Sequence, residues 1–186
     1  MATILDLPEI RERAFRWTVA EYEKLGDDPA FRRTELIRGI IVNKMSKSPL
    51  HSTITTRLYM FLLRVLRPEF VARQEQPLRL TDSMPEPDVS VVRGTMADFA
   101  QRHPSTAALV VEVAVSSARP DRENASLYAE AGVSEYWIIL GEAAQVEVYR
   151  QPDGGVYQEM RVYRRGETIA GVEVTGGEVA VETLFA

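Results

Sequence analysis

The chain has 186 residues, 45% hydrophobic and 26% charged, with a net charge of −5. A chain of this length buries roughly 70% of its unfolded surface, and this composition is that of a globular domain rather than a disordered one. It has no cysteine and only two histidines, His51 and His103, which excludes disulfides, thiolate catalysis and soft metal sites; a metal here would be held by oxygen, which points to magnesium or manganese.

The first stretch, MATILDLPEIRERAF, carries charges throughout and no apolar run of signal-peptide length. No segment reaches 18 uninterrupted apolar residues, so the expectation is a cytoplasmic protein with no membrane partner. Thr18 and Glu21 have capping-box spacing, with Trp17 and Tyr22 as a hydrophobic staple, and predict a helix to about Leu25. TELIRGIIVNKM reads as a hairpin or bent strand about Gly39. Ser48-Pro49 then opens a long helix, since Ile54, Leu58, Phe61, Leu62 and Val65 recur at helical spacing before Pro68.

Three strands are expected at roughly 70–80, 88–92 and 108–115, with a short helix opened by Thr95 and Asp98 between the last two. ENASLYAEAG is a helix ended by Gly132. EYWIIL reads as a buried strand and QVEVYR, with strict alternation, as a half-exposed one. Pro152-Asp153-Gly154-Gly155 turns the chain into a further strand, and the tail reads as short strands broken by glycines. No linker or repeat interrupts the chain. One α/β (α+β) domain over residues 1–186 is expected, a mixed central sheet flanked by helices; a homo-oligomer stays open.

Two acids stand out. Glu112 is the single charge in LVVEVAV, a run that reads as a strand covered on both faces. Buried and unpaired, it would cost several kcal/mol, so an arginine, a metal or a proton must compensate it. Asp88 heads another apolar strand, PDVSVV, where an aspartate after proline also starts turns. If the two strands are neighbours, the carboxylates meet and repel unless a cation or proton lies between them. Such a pair suits magnesium and phosphodiester cleavage. The arginines Arg57, Arg64, Arg67, Arg73 and Arg79 fall in one stretch and Arg161, Arg164 and Arg165 in another, either as solvated faces or as a cationic patch.

These segments, in this order and spacing, resemble the Uma-two family, a restriction-endonuclease-like branch of the PD-(D/E)XK nuclease superfamily. The resemblance runs from about Tyr22 to Phe185. It rests on Glu35-Leu36-Ile37 with Gly39, Ser48-Pro49 with His51, Pro87-Asp88 with its strand, and Val110-Val111-Glu112-Val113 with Ser116. It rests also on Asp121 leading into Leu127–Val133, on Glu135-Tyr136-Trp137 and on Val146–Tyr149. It implies a restriction-endonuclease-like core acting on DNA, with Asp88, Glu112 and the Val113 carbonyl as metal ligands. Glu35 matches the family's upstream glutamate, and His51 is placed near the cleft. On its own helix His51 reads equally as a histidine at the edge of the core.

The pattern breaks at the activating lysine, which this branch carries on the helix after the aspartate matching Asp121. That position is Asn124, and a neutral amide can orient an attacking water without stabilising a hydroxide. Only Lys24, Lys44 and Lys47 could replace it: Lys24 reads as solvent-facing on the entry helix, and Lys44 and Lys47 flank the strand end near His51, where either could reach the cleft although a surface role is the favoured reading. Three readings stay open: a metal-dependent endonuclease with an altered site, an inactive relative that binds nucleic acid or serves assembly, and a fold whose acids are salt-bridged to Arg119 or Arg122.

Overall fold

A computed structural model of the chain describes residues 7–26 and 28–185. Its helices are α1 (Pro8–Arg13), α2 (Val19–Glu23), α3 (Pro49–Val65) and α4 (Arg119–Glu130). The strands are β1 (Thr34–Ile37), β2 (Ile40–Asn43), β3 (Phe70–Gln74), β4 (Val89–Arg93), β5 (Leu109–Ala114), β6 (Glu135–Leu140), β7 (Gln145–Asp153), β8 (Val156–Arg164), β9 (Thr168–Val172) and β10 (Gly177–Ala180). Strands β3 to β8 form one six-stranded sheet in chain order. It is mixed, because β5 and β6 run parallel and every other pair antiparallel. A parallel pair needs a crossover, and α4 supplies it across one face. Among the described residues no helix is long and apolar enough to cross a membrane.

The period of two in β5 assigns the two faces. Leu109, Val111 and Val113 join Ile54, Leu58 and Leu62 of α3 in one core cluster. Val110 and Ala114 join Leu127 and Tyr128 of α4, with Tyr136 and Ile138, in the other. Helix α3 begins as its sequence specifies: the Ser48 hydroxyl accepts the His51 N–H at 3.2 Å, and Pro49 fills the first turn. The β1–β2 hairpin turns on Arg38 and Gly39, both at positive φ, the pattern of a two-residue turn that matches strand twist. The hairpin meets the rest of the fold through the Leu36–Met84 bridge, a small core of Val19, Leu36 and Met84, hydrogen bonds of its turn to Trp17, Asp82 and Ser83, and the Arg38–Glu130 and Lys44–Glu86 ion pairs.

Several elements differ from expectation. Helix α1, with proline in its first turn, was not foreseen. The strand expected over 70–80 stops at Gln74, because Glu75 takes a φ of 53°; Leu78 and Leu80 are buried all the same. Helix α4 starts at Arg119, earlier than its apolar residues suggest, with Pro120 tolerated in the first turn. Strand β7 is not half-exposed: Val146, Glu147 and Val148 are all buried. The arginine stretch is not one solvated face either, since Arg73 is only 4% exposed while Arg67 and Arg79 pair with Glu69 and Glu23.

Candidate active site

Strands β4 and β5 pair Val91 with Leu109, Ser90 with Val110 and Val89 with Val111. One step further, Asp88 stands across from Glu112, where the ladder ends. Residues opposite each other on antiparallel strands project to one face, so the register that packs the valines also brings the acids together. The Asp88 N–H donates to Glu112 Oε2 at 3.1 Å, and the Val113 N–H donates to Asp88 Oδ2 at 2.8 Å. Each acid thus accepts the backbone N–H that the ended ladder leaves free. A strand residue's N–H and C=O point to the same edge, so the Val113 carbonyl faces the side on which Asp88 sits.

Three further elements close around the pair. His51, in the first turn of α3, lies with Nε2 3.0 Å from Asp88 Oδ2. Lys47, in the segment between β2 and α3, lies with Nζ 3.0 Å from Asp88 Oδ1 and 3.1 Å from Glu75 Oε1. The Tyr128 hydroxyl, fully buried on α4, donates to Glu112 Oε1 at 2.8 Å. Glu35 projects from β1, where its Oε2 accepts the Glu86 N–H at 3.2 Å.

The acids do not share charge evenly. Burial works to raise the Asp88 carboxyl and is outweighed by the hydrogen bond and charge of His51, by Lys47 and by the Val113 N–H, so it lies below its ordinary value. Glu112 is pushed well above the usual carboxylate range by burial, then by the charges of Asp88, Asp121 and Glu35. Asp121 rises to about 6 by burial and the Asp88 charge, and burial raises Glu35. Tyr128 is pushed up by burial and the Glu112 charge, and stays a donor. Low and high carboxyls in one cleft are an arrangement that acid–base and metal sites use and that buried ion-pair networks also produce.

The family model described as "Uma2: Putative restriction endonuclease" matches residues 19–182. The chain belongs to the Uma2 family. It is similar to the crystal structure of a putative nuclease belonging to DUF820 from Anabaena variabilis, with a TM-score of 0.75 and 22% identity over 90% of this chain and 97% of that one. At that identity the likeness shows the fold, and the six-stranded mixed sheet flanked by helices is that fold. No curated protein matches the chain.

Of the residues that the Uma2 resemblance singles out, Asp88, Glu112, Val113 and His51 are brought into direct contact, and Glu35 lies close enough for its charge to act on Glu112. Asn124 is half-buried on α4, one turn before Tyr128, and makes no side-chain hydrogen bond among the described residues. The pairing of the acids with Arg119 or Arg122, the third of the readings left open, is not formed among the described residues. Arg122 instead clamps Glu147, with Nε 3.0 Å from Oε2, and Asp88 pairs with Lys47 and His51. Lys47 is exposed, as expected, and of the two lysines near His51 it is the one whose ammonium meets Asp88. Sequence reasoning assigned no role to Asp121 or to Tyr128, which read as one more apolar position of α4; their spacing of seven, one helical face, was the available signal.

Among the described residues no three His, Asp or Glu side chains converge tightly enough to hold an ion. Two carboxylates and a carbonyl remain as donors. They suit a hard cation that fills its shell with water, and the four clustered acids, Glu35, Asp88, Glu112 and Asp121, outnumber the lysines near them, Lys44 and Lys47.

Proposed function

We propose that this centre is the site of a magnesium- or manganese-dependent DNA endonuclease, with Lys47 as the cation that Asn124 cannot provide. The observation that carries the reading is the in-register pair Asp88–Glu112 with Lys47 Nζ 3.0 Å from Asp88. Asp88, Glu112 and the Val113 carbonyl would hold the metal, which when bound supplies Lewis acidity toward water and the scissile phosphate. His51 and the Val113 N–H fix the Asp88 carboxylate. Tyr128 fixes that of Glu112 through a hydroxyl that cannot swing away from a packed core. Glu75 and Asp88 hold the Lys47 ammonium at the cleft, where it can meet a phosphate oxygen and stabilise negative charge developing there.

Supercoiled plasmid with manganese tests this. The wild type should nick it and Asp88→Ala should not. Lys47→Ala should lose on the order of 10²–10⁴-fold in rate, while Lys44→Ala keeps the wild-type rate. Adding Asn124→Lys to Lys47→Ala should restore part of the loss, because the amine returns from the opposite wall. Equal rates for wild type and Lys47→Ala would remove Lys47 from the reaction and leave the endonuclease reading standing. A second reading, an inactive relative that binds nucleic acid or serves assembly, is favoured by the Lys47–Asp88 ion pair, which competes with a cation for the same oxygen. On that reading the wild type does not nick, and it binds DNA with strong salt dependence.

A further inference from the structure

A cavity of about 630 Å³ opens at the far end of β4 and β5, beside the loop that joins them. Five residues of extended chain, about 16 Å, separate Arg93 at its rim from Asp88. The size falls in the range of small-ligand pockets, and the acids of the nuclease-like site take no part in its lining.

The cavity is backed by an uncompensated buried charge. Arg73 of β3 is 4% exposed, and a guanidinium stays protonated wherever it lies. Its side chain donates to His103 Nδ1 at 3.1 Å and to the Pro77 carbonyl at 3.4 Å and lies over the Phe99 ring at 5.5 Å, while its Nε has no hydrogen-bond partner among the described residues. Ser90, its cross-strand neighbour on the same face, also has an unpartnered buried hydroxyl. A buried charge without a counter-ion is costly, and among the described residues no carboxylate pairs with this one. Because Arg73 donates to His103 Nδ1, the ring's own proton lies on Nε2. Burial, then the Arg73 charge, holds the ring below its ordinary value. His103 therefore offers the cavity a neutral N–H donor, polarised by the cation behind it.

At the rim, Arg102 is exposed and has no carboxylate partner among the described residues. The other charges of the lining are matched: Arg79 pairs with Glu23, Arg93 with Glu173, and Asp98 accepts from the Thr95 N–H and hydroxyl. The positive charge left over is that of Arg102 at the rim and Arg73 behind it, and it favours an anion. Val92, Phe99 and Ala107 add an apolar wall, which suits a flat ring attached to that anion.

We propose that this cavity binds a nucleoside monophosphate group, with Arg102 and the His103 Nε2–H on the phosphate and Phe99 against the base. The group could arrive as a free nucleotide or as the 5′-phosphorylated end of a strand. The proposal does not rest on the nuclease reading. It is tested in Asp88→Ala protein with EDTA present, so that metal-dependent binding at the acid cluster contributes nothing.

The probe is thymidine 5′-monophosphate, followed through the imidazole NMR signals of the two histidines and by calorimetry. It should move the His103 signal and leave His51 in place. Thymidine without phosphate should bind at least about tenfold more weakly, and so should the nucleotide to Arg102→Glu or His103→Phe. His103→Gln, which keeps an N–H donor at similar reach, should recover affinity, whereas a merely structural histidine would not be replaced in that way. Arg102 is on the surface, so its charge reversal leaves folding intact. Tighter binding of 5′-phosphorylated oligothymidine than of the mononucleotide would identify the strand end as the source, and the reverse order the free nucleotide. An unmoved His103 signal at about 10 mM nucleotide, or unchanged affinity in Arg102→Glu and His103→Phe, overturns the proposal.

Discussion

Replacing Asp121 by asparagine should stabilise the metal-free protein, and by an amount that depends on pH. Asp121 makes no side-chain hydrogen bond among the described residues, so the substitution removes charge and little else. Its carboxyl rises from 3.8 to about 6 on folding, by burial and by the charge of Asp88. A folded value above the unfolded one means that the native state binds the proton more tightly. The favourable contribution is therefore complete below 3.8 and lost as pH rises through about 6. Above both values the ionised group costs up to about 3 kcal/mol, and partial solvent access reduces this to about 1–3 kcal/mol. Asparagine does not titrate, so the advantage of Asp121→Asn should be near zero at about pH 4 and fully open at about pH 7.5. Urea unfolding at the two pH values, with EDTA, measures it. An advantage of the same size at both, or a variant less stable than wild type at the higher pH, would refute the crowded-carboxylate account of the cleft.

Arg122→Ala should destabilise by about 1–3 kcal/mol, because it leaves Glu147, 5% exposed, without its charge partner, while the arginine itself is half in solvent. The Arg122 hydrogen bond holds the Glu147 carboxyl below its ordinary value. The stability of the pair is thus present above the usual 4.5 and lost as pH falls below it, which paired urea melts of wild type and variant will show. Gly39→Ala should cost about 1–2 kcal/mol in the same assay, since its φ of 75° disfavours a side chain and a Cβ would come within 2.9 Å of Arg16 Cβ and 3.1 Å of the Trp17 carbonyl.

The parts of this structure readable in advance are those where one local signal decides the outcome. Helix α3 has a hydroxyl cap, a proline and a helical stripe that all agree. Glu112 was conspicuous because a lone charge in LVVEVAV has no cheap place in a sheet covered on both sides. Lys47 was legible only as one of two lysines near His51, because the segment between β2 and α3 has no periodicity and its position depends on where the hairpin folds back. Arg73 and Glu147 failed for a related reason. Alternation predicts exposure only when one face of a strand meets water; here both faces of the sheet are covered, so polar side chains at even spacing were buried by His103 and Phe99 in one case and by Arg122 in the other. Asn124, read as the departure from the Uma2 pattern, makes no side-chain hydrogen bond among the described residues, and the ammonium that meets Asp88 comes from a different wall.

The attachment of the β1–β2 hairpin has a mechanical consequence. Asp88, Glu112 and Val113 stand on the central sheet, whose opening requires breaking two cores. Glu35 rides on a two-stranded arm held by the Leu36–Met84 bridge, a small core, hydrogen bonds of Arg38 and Gly39 to Ser83, Asp82 and Trp17, and the Arg38–Glu130 and Lys44–Glu86 ion pairs, and Lys47 follows it along the chain. Opening free energies scale with what must be broken, so amides of β1 and β2 will exchange with solvent through small local openings, and those of β5 and β6 only through global unfolding. The acids thus keep their spacing on a sheet that opens only as a whole, while the wall carrying Glu35 and Lys47 is joined to it by contacts that a local opening can break.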